Sequence, residues 1–116
     1  MINELIENIF QDFTVDGVVI PVAFLRYDGN ETTYMTYGQT EADDALSADD
    51  GLQNYVDFYD FDIYSKGNYT NIIAKTKELL TNNGFRWQPS RSSGDLYEDD
   101  TGYFHKTLSF SIERSN

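Results

Sequence analysis

The chain of 116 residues carries 20 acidic and 8 basic side chains, so its formal net charge is −12. This length suits one domain with a single core, which we take as residues 1–116. Hydrophobic residues at 40% argue against disorder, and the acidity disfavours binding to bare nucleic acid or anionic lipid. The absence of cysteine excludes disulfides, a thiol nucleophile and thiolate metal ligands. No apolar run has the length of a membrane span and no signal peptide is recognisable, which favours synthesis in the cytoplasm.

Apolar residues near the N-terminus recur at helical spacing. They are Ile2, Leu5, Ile6, Ile9, Phe10 and Phe13. Spacings of three and four place these side chains on one face, so the pattern predicts an amphipathic helix over residues 2–13. The Asp16-Gly17 pair is expected to end this segment.

Residues 18–27 are rich in β-branched and aromatic side chains, which predicts a strand. The apolar side chains fall on both faces, as in a strand that is covered on both sides. Pro21 has no N–H to donate, so we expect it at a sheet edge or a bulge. A turn at 28–31 leads to a second strand at 32–37, and together these segments predict a β-hairpin over 18–37.

Residues 38–54 hold five acids among small side chains and contain no Lys or Arg. We predict a long exposed loop, which in a compact domain is either functional or disordered. The loop does not fit a calcium-binding EF-hand, because Leu46 and Ala48 occupy positions before Gly51 that require acids. Four aspartates of the loop are candidate protein-interface residues: Asp43, Asp44, Asp49 and Asp50.

In residues 55–64 aromatic and β-branched side chains alternate with acidic ones, which predicts a strand. One face of this strand carries Tyr59, Phe61 and Ile63. The other face carries Asp60, Asp62 and Tyr64. The apolar face is expected to pack on the helix that follows.

A helix is predicted over residues 69–83, where apolar side chains recur at spacings of three and four. Asn68 is placed to cap its N-terminus through the side-chain oxygen. Gly84 is placed to end the helix in the left-handed conformation, and Phe85 is expected to fold back on the last turn.

The last third of the chain is predicted to contain two strands joined by a polar loop. Residues 85–88 form a short strand that Pro89 stops, and residues 90–101 form the loop. Residues 103–113 alternate cleanly, which predicts a half-buried strand with one solvated face. The loop adds three candidate protein-interface residues: Arg91, Asp95 and Tyr97.

The predicted order of elements is therefore α-β-β-β-α-β-β. Strands outnumber helices, and the short connections favour hairpins. This order predicts the α+β class, with a mostly antiparallel sheet, an N-terminal helix and a second helix.

Two constellations were weighed as sites of chemistry. His105 is the only histidine, so a Ser-His-Asp arrangement must use it, and Ser109 follows it on the same strand face. Strand alternation produces such pairs by chance, and we interpret this one as structural. Asp57, Asp60 and Asp62 are candidates for a metal site or a carboxylate pair, but a solvated strand face is the favoured interpretation. The sequence therefore predicts no catalytic residue, no metal site and no cofactor.

Two long segments of the chain, 58–85 and 93–108, resemble small proteins of the head–tail joining module of long-tailed phages and prophages of Gram-positive bacteria. The opening is similar too, with an N-terminal helix followed by the run at 16–22. Members of this family are described as tail completion, tail terminator or minor capsid proteins. The resemblance rests on structural patterns and carries no catalytic signature.

The resemblance implies an α+β domain that assembles into a ring, commonly a hexamer, which caps the tail tube where the head docks. The implied partners are further copies of the chain and the proteins of the tail tube and head connector. The implied location is the virion, after synthesis in the bacterial host cytoplasm. No membrane, direct nucleic-acid contact or enzymatic activity is implied.

Two other classes remain open. The charge of −12 also suits an acidic inhibitor or immunity protein, or a DNA mimic. Ten of the 20 acids fall between Asp28 and Asp62, which fits the carboxylate array of a mimic only loosely. A small hydrolase or sugar-acting enzyme that uses carboxylates between Asp57 and Asp62 ranks last.

Overall fold

The computed structural model describes residues 2–44 and 54–115. It is an α+β structure with a mostly antiparallel sheet, which confirms the predicted fold class. The helices are α1 (Ile2–Ile9) and α2 (Thr70–Asn82), and Pro89–Arg91 forms one 3-10 turn. The strands are β1 (Thr14–Val15), β2 (Val18–Val19), β3 (Val22–Phe24), β4 (Tyr34–Asp44), β5 (Asn54–Ser65), β6 (Arg86–Trp87), β7 (Leu96–Glu98) and β8 (Tyr103–Ser115). Within the described residues, no helix is long and apolar enough to cross a membrane.

Six of the strands form one sheet, whose centre is the long antiparallel trio β4, β5 and β8. The order across the sheet is β3-β4-β5-β8, and both β6 and β7 pair with the outer edge of β8. β1 and β2 form a separate small hairpin. The sheet therefore has β3 at one edge and the short strands β6 and β7 at the other.

The core lies where the two helices meet one face of the central strands. Helix α1 contributes Ile6, and α2 contributes Ile72 and Leu80. The sheet contributes alternate residues of its three long strands, namely Met35, Tyr37, Tyr59, Phe61, Ile63, Leu108 and Phe110. The alternation of β5 predicted that Tyr59, Phe61 and Ile63 share the buried face, and this is confirmed. Burial of these side chains removes apolar area from water and so stabilises the fold.

The predicted C-terminal end of α2 is confirmed by hydrogen bonds, whereas the N-cap position is occupied by Tyr69, one residue after the predicted Asn68. The Asn68 side chain accepts from the Thr70 N–H at 2.8 Å, as a capping residue does. At the other end Gly84 has φ +91°, and the Phe85 N–H donates to the Leu80 carbonyl at 3.0 Å. A second bond from the Gly84 N–H to the Thr81 carbonyl completes a Schellman motif. Phe85 is buried in the core, as expected of a residue that folds back on the helix.

The first helix is shorter than predicted. It ends at Ile9 rather than near residue 13, because the chain turns and Asp12 adopts a left-handed φ of 55°. Phe10 and Phe13 are nevertheless buried, in an edge-to-face ring contact. The Asp16-Gly17 pair forms the two-residue turn of the β1–β2 hairpin, where positive φ at both positions matches the twist of the strands.

The predicted hairpin over 18–37 is wrong. β3 and β4 are parallel, with Val22 beside Met35 and Phe24 beside Tyr37. After β3 the chain makes a γ-turn, in which the Arg26 N–H donates to the Phe24 carbonyl around Leu25 at φ 64°. The chain then loops back through residues 25–33 and enters β4 alongside the start of β3. The segment is also not covered on both sides, although Pro21 does lie at an edge strand as expected.

The predicted loop over 38–54 is wrong for its first seven residues. β4 continues to Asp44 and pairs with β5 from Gly38 opposite Asp60 to Asp44 opposite Tyr55. A bulge between Gln39 and Glu41 shifts the register by one residue, and the pairing with β5 continues beyond it despite weak strand formers. The segment 45–53 lies outside the described residues.

The predicted loop over 90–101 also contains regular structure. The 3-10 turn overlaps its start, and β7 pairs with β8 through Leu96 opposite His105 and Glu98 opposite Tyr103. Backbone pairing with the outer edge of β8 stabilises this polar segment, a long-range effect that local composition does not reveal.

Candidate interaction surface

The predicted interface residue Arg91 lies over the sheet face opposite the helices. Its guanidinium donates from Nη2 to Oε1 of Glu41 on β4. Its Cζ is 4.0 Å from the ring centroid of Phe58 on β5. An ion pair and a cation–π contact thus fix Arg91 above two neighbouring strands, with its side chain about one-third exposed.

The predicted interface residues Asp95 and Tyr97 lie at the β7 edge. Asp95 Oδ1 accepts a hydrogen bond from the Tyr69 hydroxyl at 2.8 Å and lies 3.5 Å from Lys106 Nζ. Tyr97 is 55% exposed, and its ring centroid is 4.9 Å from that of Phe104. The group combines a carboxylate, a lysine and three aromatic rings on one edge of the sheet.

Hydrogen bonding couples the ionisation of Asp95 and Tyr69. The Tyr69 hydroxyl and the Lys106 charge lower the pKa of Asp95. Burial, followed by the Asp95 contact, raises the pKa of Tyr69 to about 12. At neutral pH the pair is therefore a carboxylate that accepts a hydrogen bond from a neutral phenol.

The predicted interface residues do not form one patch. Tyr97 pairs with Phe104, whereas Phe58 beside Arg91 pairs with Ser111, seven residues further along β8. At the rise of a strand this separation is roughly 23 Å. Asp43 and Asp44 are the last two residues of β4, at the end of the sheet where Arg91 lies. Asp49 and Asp50 lie outside the described residues.

A ladder of stacked rings crosses the sheet face opposite the helices. The centroids of Tyr27 and Tyr34 are 4.6 Å apart, those of Tyr34 and Tyr64 are 4.9 Å apart, and those of Tyr64 and His105 are 4.2 Å apart. Tyr103 contacts the Tyr34 and Tyr64 rings edge-on. Because the rings cover each other's faces, the ladder stabilises strand pairing and leaves no open aromatic platform.

His105 is held by a carboxylate and not by a serine. Its Nε2 is 3.2 Å from Asp62 Oδ1, and Thr107 also donates to Asp62. Its Nδ1 lies 3.9 Å from Glu98 Oε2. Ser109 is fully buried two positions further along the face, opposite Asp60. These contacts favour the structural interpretation of His105 and give no support to a Ser-His-Asp arrangement.

The three weighed aspartates divide between the two faces of β5. Asp60 and Asp62 share the face opposite the helices, as alternation predicted, and burial raises the pKa of Asp60. Asp57 lies on the helix-facing side, where Arg114 Nε donates to Oδ2 at 2.6 Å and Gln39 donates to Oδ1 at 3.3 Å. Across the part of the chain that the structure describes, no group of three His, Asp or Glu side chains is arranged to hold a metal ion.

Sequence reasoning missed the apolar side chains exposed at the sheet edges. Phe24 and Leu25 project at the β3 edge, where Leu25 is 65% exposed. Trp87 on β6 and Leu96 on β7 are exposed at the opposite edge. The apolar pattern of residues 18–27 favoured burial of Phe24 and Leu25. They are exposed because β3 is short and lies at the edge of the sheet.

Comparisons with known proteins add no family assignment. A scan against models of protein families found no match to this chain. A search of curated proteins also found no match.

Proposed function

We propose that this protein is a structural virion component that caps a phage tail tube and helps to join tail to head as a ring of identical subunits. Its partners are further copies of itself and the proteins of the tail tube and head connector. It acts without enzymatic chemistry, in the virion, after synthesis in the host cytoplasm. The resemblance of segments 58–85 and 93–108 to head–tail joining proteins supports this proposal.

The structural observation that carries the proposal is that the two ends of the sheet present unlike surfaces. At the β3 edge Phe24 and Leu25 project as an apolar knob. At the far end, beside β6, an open cleft of ≈ 450 Å³ is lined by residues of three segments, including Val56, Phe58, Arg86 and Ile112. A ring of identical subunits requires two different patches that meet head to tail, and a knob and a cleft at opposite edges meet this requirement.

The backbone at the knob is strained. Leu25 has φ 64°, a conformation that costs a non-glycine residue of order 1–2 kcal/mol. The strained turn leaves the Leu25 side chain 65% exposed, with its Cδ2 packed against Gly38 of β4. Contact with the cleft of a neighbouring copy would remove this apolar area from water.

Net charge opposes assembly of the isolated protein. Each subunit carries −12, so a closed ring concentrates like charges, and salt screens them over about 8–10 Å near physiological strength. We therefore expect mostly monomer at low salt and stronger association as the salt concentration rises.

The proposal is tested by light scattering with sedimentation across protein and salt concentrations. The expected result is a ring-sized species that grows with salt. Leu25→Asn should weaken it while keeping the fold, because asparagine tolerates a left-handed φ. The matched control is Val19→Thr, which changes an equally exposed apolar residue away from both edges. A monomer or simple dimer under every condition would contradict the ring and favour the acidic inhibitor or DNA-mimic alternative.

A further inference from the structure

A second open cleft lies between the start of α2 and the end of the sheet formed by β7 and β8. Its volume is ≈ 440 Å³, and its lining is mostly apolar. The lining residues are Gly67, Asn68, Tyr69, Asp95 and Phe104. We call it the Tyr69–Phe104 cleft. It lies at the opposite end of β8 from the cleft beside β6, so the two surfaces are separate.

One carboxylate stands at the rim of this apolar cleft. Asp95 Oδ1 is held by the Tyr69 hydroxyl and by Lys106. Oδ2 has no hydrogen-bond partner among the described residues. The Asp95 side chain is therefore oriented in advance, with one oxygen available to a donor that enters from solvent.

Exposed rings extend the cleft along β7. Tyr97 packs against Phe104, and Phe104 contacts Tyr69 with ring centroids 6.4 Å apart. Aromatic rings beside a carboxylate suit a side chain that has an apolar stem and a cationic head. Arginine and lysine have this composition, and arginine adds a planar group that stacks on rings.

The backbone of β7 can take a further strand. Within the described residues β7 pairs only with β8, so its outer edge is unpaired. An extended peptide adds to such an edge through main-chain hydrogen bonds, while alternate side chains enter neighbouring pockets. The three residues of β7 permit a short addition.

The charges around the β7 edge determine which net charge a partner segment should carry. Glu98 is the last residue of β7, Asp99 and Asp100 follow it directly, and the whole chain carries −12. Lys66 and Lys106 are the nearby cations, and Lys106 is already paired with Asp95. An acidic or neutral segment would gain little here, whereas a basic segment meets complementary charge.

We propose that the Tyr69–Phe104 cleft and the β7 edge bind an extended, basic segment of a partner protein. An arginine or lysine of the segment lays its stem on Tyr97 and Phe104 and donates to Asp95 Oδ2. The segment's backbone pairs with β7. This inference goes beyond the proposed ring and does not require it, because the cleft is complete within one subunit.

A direct test uses a short capped peptide in which arginine alternates with leucine. Its matched control replaces each arginine with citrulline, which keeps the shape and removes the charge. Binding to the full chain is followed by fluorescence anisotropy and by amide chemical shifts at Tyr97 and Phe104. The arginine peptide should bind at low salt, weaken as salt rises, and shift those amides, while the citrulline peptide binds at least about tenfold more weakly.

Two variants that each remove one negative charge, at different positions, test where the peptide binds. Asp95→Asn keeps an oxygen that accepts from Tyr69 but loses the charge, so peptide affinity should fall by about tenfold. Asp28→Asn removes one charge from an exposed position at the far side of the sheet and should leave affinity within about twofold. Tyr97→Ala should weaken binding without unfolding the chain, because Tyr97 is exposed.

Three results would overturn the proposal. They are equal binding of the arginine and citrulline peptides, equal losses from Asp95→Asn and Asp28→Asn, or no binding at low salt. If no peptide binds but Tyr97→Ala dissociates a ring, the cleft is an interface between copies instead. The ring proposal is tested separately, because the solution mass of the protein without peptide shows whether a ring forms.

Discussion

Arg114 on β8 donates from Nε to Oδ2 of Asp57 on β5 at 2.6 Å, across adjacent antiparallel strands. Asp57 is only 2% exposed, while the Arg114 side chain is partly open to solvent and lies 4.6 Å from the Tyr55 ring centroid. A buried carboxylate that loses its cation keeps its desolvation cost. The stability of this part of the central strands β4, β5 and β8 therefore depends on one partly exposed arginine.

Arg114→Met should therefore lower the free energy of unfolding by about 2 kcal/mol, less than for a fully buried pair because Arg114 is partly exposed. Urea denaturation at neutral pH measures this. The double variant Arg114→Met with Asp57→Asn should recover part of the loss, since the unpaired charge is gone. A loss below about 0.5 kcal/mol would show that Gln39 and water satisfy Asp57 alone.

Leu80→Ala should cost roughly 2–5 kcal/mol, because Leu80 is fully buried where α2 meets the sheet. Leu79→Ala on the same helix is the control, and it should cost less because Leu79 is only partly buried. The two unfolding free energies are compared in denaturant. Equal costs for the two substitutions would contradict the assigned helix face.

Gly84→Val should destabilise the protein by about 1–2 kcal/mol through backbone strain alone. Gly84 has φ +91°, and no atom lies within 4 Å of the position that a Cβ would take. Gly67→Val provides the control, since that position is equally open and lacks the positive φ. Thermal unfolding of both variants gives the comparison, and an undisturbed Gly84→Val protein would remove the Schellman argument.

Asp60→Asn should make the protein more stable at neutral pH. Burial raises the pKa of Asp60, and the neighbouring Asp62 charge adds to this effect. A carboxyl group with a raised folded pKa stabilises the fold below its unfolded pKa near 4, and this contribution is lost as pH rises through the folded pKa. The advantage of the variant should therefore grow from acid toward neutral pH.

Asp62→Asn is the matched control for Asp60→Asn and should not stabilise. Asp62 accepts a hydrogen bond from Thr107 and contacts His105, whereas burial outweighs the Ser109 and Arg91 contacts of Asp60. Chemical denaturation at several pH values distinguishes the two. Similar pH profiles for both variants would contradict the difference in environment.

His105→Ala should leave the proposed assembly of copies into a ring intact, apart from a modest loss of stability. The side chain stacks on Tyr64 and contacts Asp62, and both contacts serve the pairing of β5 with β8. The readouts are the midpoint of urea unfolding and the solution mass of the protein across salt concentrations. A variant that folds normally yet loses assembly by orders of magnitude would give His105 a direct role.

Local sequence periodicity determined the parts of the fold that depend on neighbours in the chain. The alternation of β5 identified which side chains face the helices, and the Asn68 and Gly84 signals identified the ends of α2, the N-terminal one to within one residue. Such features follow from backbone geometry and side-chain spacing within one element, so a single sequence contains them. The α+β class followed from the order of these elements.

Only the tertiary structure decided which strands pair and in what register. The return of the chain through residues 25–33 lets β4 pair parallel with β3. Pairing with β5 extends β4 to Asp44, through an acidic stretch whose composition predicts a loop. The same register brings His105 to Asp62 and Asp95 to Tyr69, contacts between residues 43 and 26 positions apart. A ladder hydrogen bond depends on the partner strand and not on the local side chains. The candidate surfaces therefore emerge only when the strands are assembled.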